Sequence, residues 1–339
     1  MKFDIKYSKF GNLFFFVSNL AEWHFSCRKE YNIFWRNNLP HFTQEENVVL
    51  KLFKKILKQY QGKSENKMSF PFLANAVIKK NLKYIEKKIN KSEKEIVRKV
   101  IKLFQPKFQK IWRENHCNLR RFIVLVKELD YVKKIKKSLE LIEIYFGKTN
   151  CKKITVYLLI APKNQWGGGG ANIGPKRITL EIGDISKRGI DWILRTLIHE
   201  ATHICYQDNF NLMLRSFIQS IPKKDYNNFK IVNYFGNLYT VLNELITSSI
   251  IGEGLIDELV FKFPSRNQLE RDIKCLDWTK RSHSSLLRKS AALALYSFNK
   301  EYLKEKRAID VNYLERAWEF LKKFEQKYKK GRFKELASL

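Results

Sequence analysis

The chain has 339 residues and carries 65 Lys plus Arg against 34 Asp plus Glu, a formal net charge of +31. That length supports a real core in one large domain or two ordinary ones, and 44% hydrophobic residues with 14 Gly and 7 Pro exclude a disordered polycation and a low-complexity or collagen-like chain. Lysine outnumbers arginine 48 to 17, and residues 1–150 hold 33 basic and 14 acidic side chains whereas residues 184–260 hold 7 and 9, so the charge reads as solvated lysine faces rather than a dedicated nucleic-acid surface.

Lys2, Lys6 and Lys9 precede an apolar patch, Leu13 to Val17, which is too short for the apolar region of a secretory signal. No stretch approaches the ~18 apolar residues of a membrane span. Cys27, Cys117, Cys151, Cys205 and Cys275 are scattered without a CxxC pair. Such a set suits a reducing compartment and argues against a disulfide framework or a cysteine zinc site. The expectation is a soluble cytoplasmic protein with no membrane partner.

Residues 1–146 read as a helical N-terminal region. Val48, Leu50, Leu52, Phe53, Ile56 and Leu57 fall at helical spacing between lysines, and Thr43 with Glu46 forms a capping box ahead of them. Residues 93–112 and 121–146 repeat this amphipathic pattern. The texture changes at Gly147. Ile154 to Ile160 is β-branched and apolar and reads as a strand; Arg177 to Ile182 reads as a second, closed by Gly183 and Asp184. Between them Trp166, Gly167 to Gly170 and Ala171-Asn172-Ile173-Gly174-Pro175 read as a glycine loop. It lacks the Gly-Lys-Ser/Thr ending of a phosphate cradle, and no helix follows it directly.

Residues 190–206 form a helix, with Asp191 placed to suit its dipole. Residues 238–261 form another, apolar almost all round and therefore central. Residues 266–277, 284–305 and 310–329 are further amphipathic helices. The expected fold is α+β and mostly α: a helical N-terminal region over 1–146, then residues 147–339 with a small β-sheet, a central motif helix and a C-terminal helical region.

The helix at 190–206 contains His199-Glu200-Ala201-Thr202-His203. Two His at i and i+4 lie one above the other on a helix face, and their ring nitrogens can hold one zinc ion. Glu200 stands beside that position rather than on it, placed to take a proton from a metal-held water and pass it to a leaving amine. Leu197, Ile198 and Ile204 make the surroundings apolar, so two His and a Glu there need partners. The plain alternative is a pair of hydrogen-bonded core histidines.

A catalytic zinc needs a third protein ligand. Tyr206 and Asn209 stand where an extended metzincin pattern requires Gly and His, so a carboxylate on the 238–261 helix is the better candidate. Leu242, Ile246, Ser249, Glu253, Ile256 and Val260 fall on one helical stripe, which would put the Glu253 carboxylate on an inward face. Asp257, at i+4 from it, is placed to accept from the free ring nitrogen of a ligating His. Glu253 is therefore the expected third ligand and Asp257 its supporting group. Glu244, with only Ser248 at i+4, is the alternative.

HExxH on one helix, then a Glu on a later helix with a small residue after it and Asp four on, resembles the gluzincin zinc metallopeptidases. The Glu253-Gly254-Leu255-Ile256-Asp257 segment is similar to the Glu-Gly-x-Ala-Asp style of poorly characterised predicted zinc-dependent proteases of bacteria, with Ile256 where many members have Ala. Asn243-Glu244 instead resembles the Asn-Glu segment of thermolysin-like enzymes. The resemblance covers roughly residues 150–262. It implies a zincin-like catalytic domain with His199, His203 and Glu253 as metal ligands and Glu200 as general base. It also implies that Ile178 to Ile182 is a sheet edge binding extended substrate by β-augmentation, with Gly167 to Asn172 as a loop at the cleft rim.

These readings converge on a zinc-dependent hydrolase, a peptidase acting on a peptide or protein substrate. Tyr234, Tyr239, His283 and Arg195 are the candidate donors to a developing oxyanion. The rival reading is a basic helical module binding nucleic acid or an acidic protein, with zinc structural or absent. Its support is the lysine-rich N-terminal region with interleaved Phe, Trp and Tyr.

Overall fold

The strand expected from Ile154 to Ile160 is the centre of the sheet. In the computed structural model, which describes residues 1–23, 27–60, 81–165, 167–170, 176–278 and 282–339, β1 (Lys2–Lys6) and β2 (Lys153–Ile160) pair in parallel, as do β2 and β4 (Arg177–Ile182). β3 (Gly168–Gly170) runs antiparallel to β4, giving the order β1-β2-β4-β3. Helices α1 (Lys9–Leu20), α2 (Lys29–Asn38), α3 (Gln44–Gln59), α4 (Lys83–Glu86), α5 (Lys91–Leu125) and α6 (Leu129–Phe146) lie between β1 and β2 in the chain. After the sheet come α7 (Lys187–Cys205), α8 (Asp208–Ser220), α9 (Lys230–Phe235), α10 (Leu238–Ile250) and α11 (Leu255–Phe261). The described chain closes with α12 (Arg266–Cys275), α13 (His283–Ala294), α14 (Tyr296–Glu305) and α15 (Val311–Lys329). The fold is α+β and mostly α, as expected. No helix among the described residues is long and apolar enough to cross a membrane.

The chain divides into two compact units along other lines than the texture break at 146/147. One comprises residues 1–128 and 151–197, the other residues 129–150 and 198–339. Helices α1 to α5 and the sheet share the first unit because β1 needs β2 as its partner and α1 covers it. Asn12, buried in α1, donates from Nδ2 to Leu158 O at 3.1 Å and accepts from Ile160 N at 2.6 Å. One amide side chain thereby satisfies both backbone groups at the end of β2. The patch Leu13 to Val17 is the buried face of this helix.

Several expectations change. Residues 2–6 are a strand, not part of a helical region. Two lysines in five residues hide its alternation, and its partner lies 150 residues away. The helices expected at 93–112 and 121–146 are α5, continuous through Arg113 to Arg120, and α6. Asn90 and Glu93 form a capping box at the start of α5, and the box expected at Thr43 and Glu46 is present at the start of α3. The 284–305 helix divides at Leu295.

The glycine stretch is not wholly a loop, since Gly168–Gly170 is an outer strand. A Cβ at Gly168 would fall on the Arg28 guanidinium, which itself donates to Glu181 Oε2 at 2.9 Å. β4 is paired on both sides, so it is not the sheet edge that the resemblance implied. Trp166 and residues 171–175, including Ala171 and Asn172 of the expected rim loop, lie outside the described residues.

Asn12→Leu is expected to strand two buried backbone groups of β2, at about 1–3 kcal/mol each. The check is chemical denaturation followed by a probe in the first unit. An unfolding free energy unchanged by the substitution contradicts the role given to Asn12.

Candidate metal centre

The second unit contains the whole HExxH motif. α7 carries His199, Glu200 and His203 on its last two turns, as expected. α10 is capped by Asn237, whose side chain accepts from Thr240 N at 2.8 Å, and it presents Glu244 toward the two imidazoles. The Nε2 atoms of His199 and His203 stand 3.0 Å apart. Glu244 Oε1 is 3.6 Å from His199 Nε2, and Glu244 Oε2 is 3.4 Å from His203 Nε2. Among the described residues, this is the one group of three or more His, Cys, Asp or Glu whose ligand atoms converge closely enough to hold an ion.

The hydrogen bonds on the far side of each ring fix its tautomer. His199 Nδ1 lies 2.8 Å from the carbonyl of Ile251, a pure acceptor, so Nδ1 carries the proton and Nε2 is bare. His203 Nδ1 lies 3.1 Å from Gln207 Oε1. That oxygen also accepts from Asn243 Nδ2 at 2.9 Å, while Gln207 Nε2 donates to Thr247 Oγ1 at 2.6 Å, so the amide is held in one orientation. Asn243 Nδ2 also donates to Asn211 Oδ1 at 3.1 Å, and the Tyr239 hydroxyl donates to the same oxygen at 2.7 Å. Two bare imidazole nitrogens and a carboxylate therefore face one another, an arrangement that needs a cation between them.

The donor set fits zinc. Zinc–nitrogen bonds of about 2.0–2.1 Å in a tetrahedron place ligand atoms roughly 3.3 Å apart, and the three separations here bracket that value. Three protein donors leave one position open, as in catalytic rather than structural zinc sites. The side chains of His203 and Glu244 are about one-fifth exposed, and that of His199 is buried.

Burial opposes a charge on His199, but the adjacent Glu244 carboxylate outweighs it and pushes the imidazole pKa up to about 9. Burial opposes the Glu244 charge as well. His199 beside it, with His203 and Arg288, holds that carboxyl well below the ordinary range. Without a metal, a proton is the cation that satisfies the cluster.

The carboxylate that meets the two imidazoles is Glu244, the alternative, and not Glu253. The 238–261 segment is not one helix. Ile251 is extended and Gly252 has φ +112°, so α10 ends and a turn leads into α11. The stripe that carried Glu253 inward is broken there. Glu253 sits in the turn, buried, with Oε2 3.4 Å from Lys289 Nζ. Asp257 does not bond a ligand imidazole either. Its Oδ2 accepts from Gly252 N at 2.6 Å and Gly254 N at 3.1 Å, which closes the turn. The turn in turn supplies the Ile251 carbonyl to His199. A Cβ at Gly252 would lie 2.8 Å from His199 Nδ1, so only glycine permits this approach.

Glu200, on the residue after His199, is half-buried, and among the described residues its side chain accepts no hydrogen bond. The four expected oxyanion donors are engaged elsewhere. Tyr239 holds Asn211; Tyr234 stacks on His283, which pairs with the Tyr328 hydroxyl; Arg195 is buried over the Trp192 ring. The cation at the cluster is Arg288 on α13, with Nη1 3.6 Å from Glu244 Oε1. Sequence reasoning passed over it, although Arg288-Lys289 is a basic pair inside the apolar run Leu286 to Leu293.

Because His199 must release its proton to bind a metal, zinc affinity is expected to rise about tenfold per pH unit up to about pH 9 and to flatten above. In the metal-free protein the same raised pKa contributes stability that is full below the ordinary value of 6.5 and is lost as the pH rises through about 9. Chelator competition and denaturation across pH 6–10 check both; a pH-independent affinity contradicts the assignment. Gly252→Ala is expected to abolish zinc binding in a chain whose circular dichroism remains helical. The chain matches no protein-family model, no curated protein and no solved structure.

Proposed function

We propose that the protein is a zinc-dependent hydrolase, a peptidase of gluzincin type, with His199, His203 and Glu244 as the metal ligands. The observation that carries this reading is the convergence of two bare imidazole nitrogens and a carboxylate, with Glu200 on the same helix as the two imidazoles. Zinc held there supplies a Lewis acid that polarises a carbonyl and lowers the pKa of water.

The remaining steps belong to the chain's own side chains. Glu200, half-buried beside His199 on the same helix, takes a proton from the attacking water and delivers it to the departing amine. The negative charge that develops on the carbonyl oxygen needs a donor. Arg288 fits this task better than the four residues expected from sequence. Its Nη1 is too far from Glu244 for a hydrogen bond, its side chain is about one-third exposed, and its Nε has no hydrogen-bond partner among the described residues. Gln207, itself held by the Asn243 amide, fixes the His203 ring, and the Ile251 carbonyl fixes that of His199.

A cytoplasmic setting has less support than the cysteine count gave it. Cys151 and Cys205 are each disulfide-bonded, against the expectation of a chain without disulfides.

The test is peptide hydrolysis by the purified zinc-loaded chain. Glu200→Gln is expected to lower turnover by about a hundredfold or more while one zinc per chain is retained. Arg288→Ala is expected to lower kcat by about 10²–10³, with zinc content unchanged. A zinc-loaded chain inert toward all peptides tried, or a Glu200→Gln variant as active as the parent, overturns the reading.

A further inference from the structure

The Glu-Gly-Leu-Ile-Asp segment that stood out in the sequence ligates nothing, yet its charged residues are deeply buried. Glu253 is 3% exposed and Asp257 is fully buried. Two acidic groups, nine and thirteen residues after Glu244 and in an apolar setting, require a compensating arrangement. Asp257 is answered by the two turn amides. Glu253 is answered by Lys289, itself only 9% exposed.

Lys289 has a second partner. Its Nζ donates to Asp272 Oδ2 on α12 at 2.9 Å, and Asp272 Oδ1 accepts from Gln268 Nε2 at 2.6 Å. A buried ammonium on α13 therefore spans from α12 to the turn between α10 and α11. The turn is the element that meets His199, through the Ile251 carbonyl on Nδ1 and the Gly252 backbone against the ring. The neighbouring residue on α13, Arg288, approaches the ligand carboxylate of Glu244. One helix thus touches the cluster directly through Arg288 and by way of the turn through Lys289.

We propose that Lys289 and Glu253 are positioning residues for His199. The buried pair, anchored on Asp272, fixes the 251–254 turn, and the turn fixes the tautomer and the angle of the imidazole. The inference rests on the metal-site reading above. Its physical content is that removing the ammonium takes their shared cation from the buried Glu253 and the half-buried Asp272. The turn must then move to hydrate Glu253, and the Ile251 carbonyl moves with it.

The experiment measures zinc affinity by competition with a chromogenic chelator, and the absorption spectrum of the cobalt-loaded protein. The samples are the parent chain, Lys289→Met, Glu253→Gln, the double variant, and Glu325→Gln as a control. Glu325 is also a buried carboxylate of this unit, but it caps α9 through Lys230 N at 2.6 Å and Ile231 N at 3.2 Å. Lys289→Met is expected to weaken zinc binding by about 10–100-fold, the usual range for loss of a group that orients a ligand, and to shift the cobalt bands. The double variant, which removes both charges, is expected to recover part of the affinity. Glu325→Gln is expected to lower thermal stability and leave both readouts unchanged. Should Lys289→Met fail to fold, the near-isosteric Glu253→Gln carries the test with the same signs. Parent-like affinity and spectrum in Lys289→Met and Glu253→Gln overturn the inference, as does an equal loss in Glu325→Gln, which would mark general softening. A parent chain that binds no zinc overturns the metal-site reading itself, and is told apart by that sample alone.

Discussion

Everything proposed for this protein depends on one electrostatic constraint. Two imidazole Nε2 atoms, 3.0 Å apart, face a half-buried carboxylate. Lone pairs that close repel one another unless a cation lies among them. The raised pKa of His199 is the metal-free protein's answer, in which a proton takes that place. The donor types and their spacing make a zinc ion the better answer, since it satisfies all three groups and leaves a position open for chemistry.

The surroundings of the cluster serve to keep those nitrogens bare. A backbone carbonyl holds one ring and an amide held by three hydrogen bonds holds the other. Both oxygens are acceptors only, so in each neutral ring the proton sits on Nδ1 and Nε2 faces the cluster. This is a different solution from a carboxylate behind each histidine, and it spends Asp257 on the backbone turn instead. The cost is a glycine that no other residue can replace at position 252, and a set of buried charges around the turn.

How much of this was legible in the sequence follows from the range of each interaction. The motif helix, the capping box at Thr43 and Glu46, and the strands at 153–160 and 177–182 are set by neighbours within a few residues, and periodicity and capping chemistry reveal them. Glu253 was preferred to Glu244 as the carboxylate beside the imidazoles because the choice rested on a local partner, Asp257 four residues after Glu253. The partners that matter arrive from elsewhere: Arg288 from α13, the Ile251 carbonyl from the backbone. The signal that could have corrected it was present as Gly252 and Gly254, two glycines within an otherwise helical pattern, which mark a break. Asn243-Glu244 carried the other half of the answer, with the amide behind one imidazole and the carboxylate in front of both. β1 was hidden for a different reason. A five-residue strand with lysines at both ends is defined only by a parallel partner far along the chain.

The charge of +31 bears on none of these interactions. The cluster is built from a stretch that is slightly acidic, and its local cations, Arg288 and Lys289, lie beside Glu244 in one case and Glu253 and Asp272 in the other. The most direct measurement is therefore anomalous diffraction at the zinc edge from crystals of the zinc-loaded protein. The account predicts one peak per chain, at about 2.0–2.2 Å from His199 Nε2, His203 Nε2 and a Glu244 oxygen. No peak at that position, or one bound by Glu253 in place of Glu244, would contradict it.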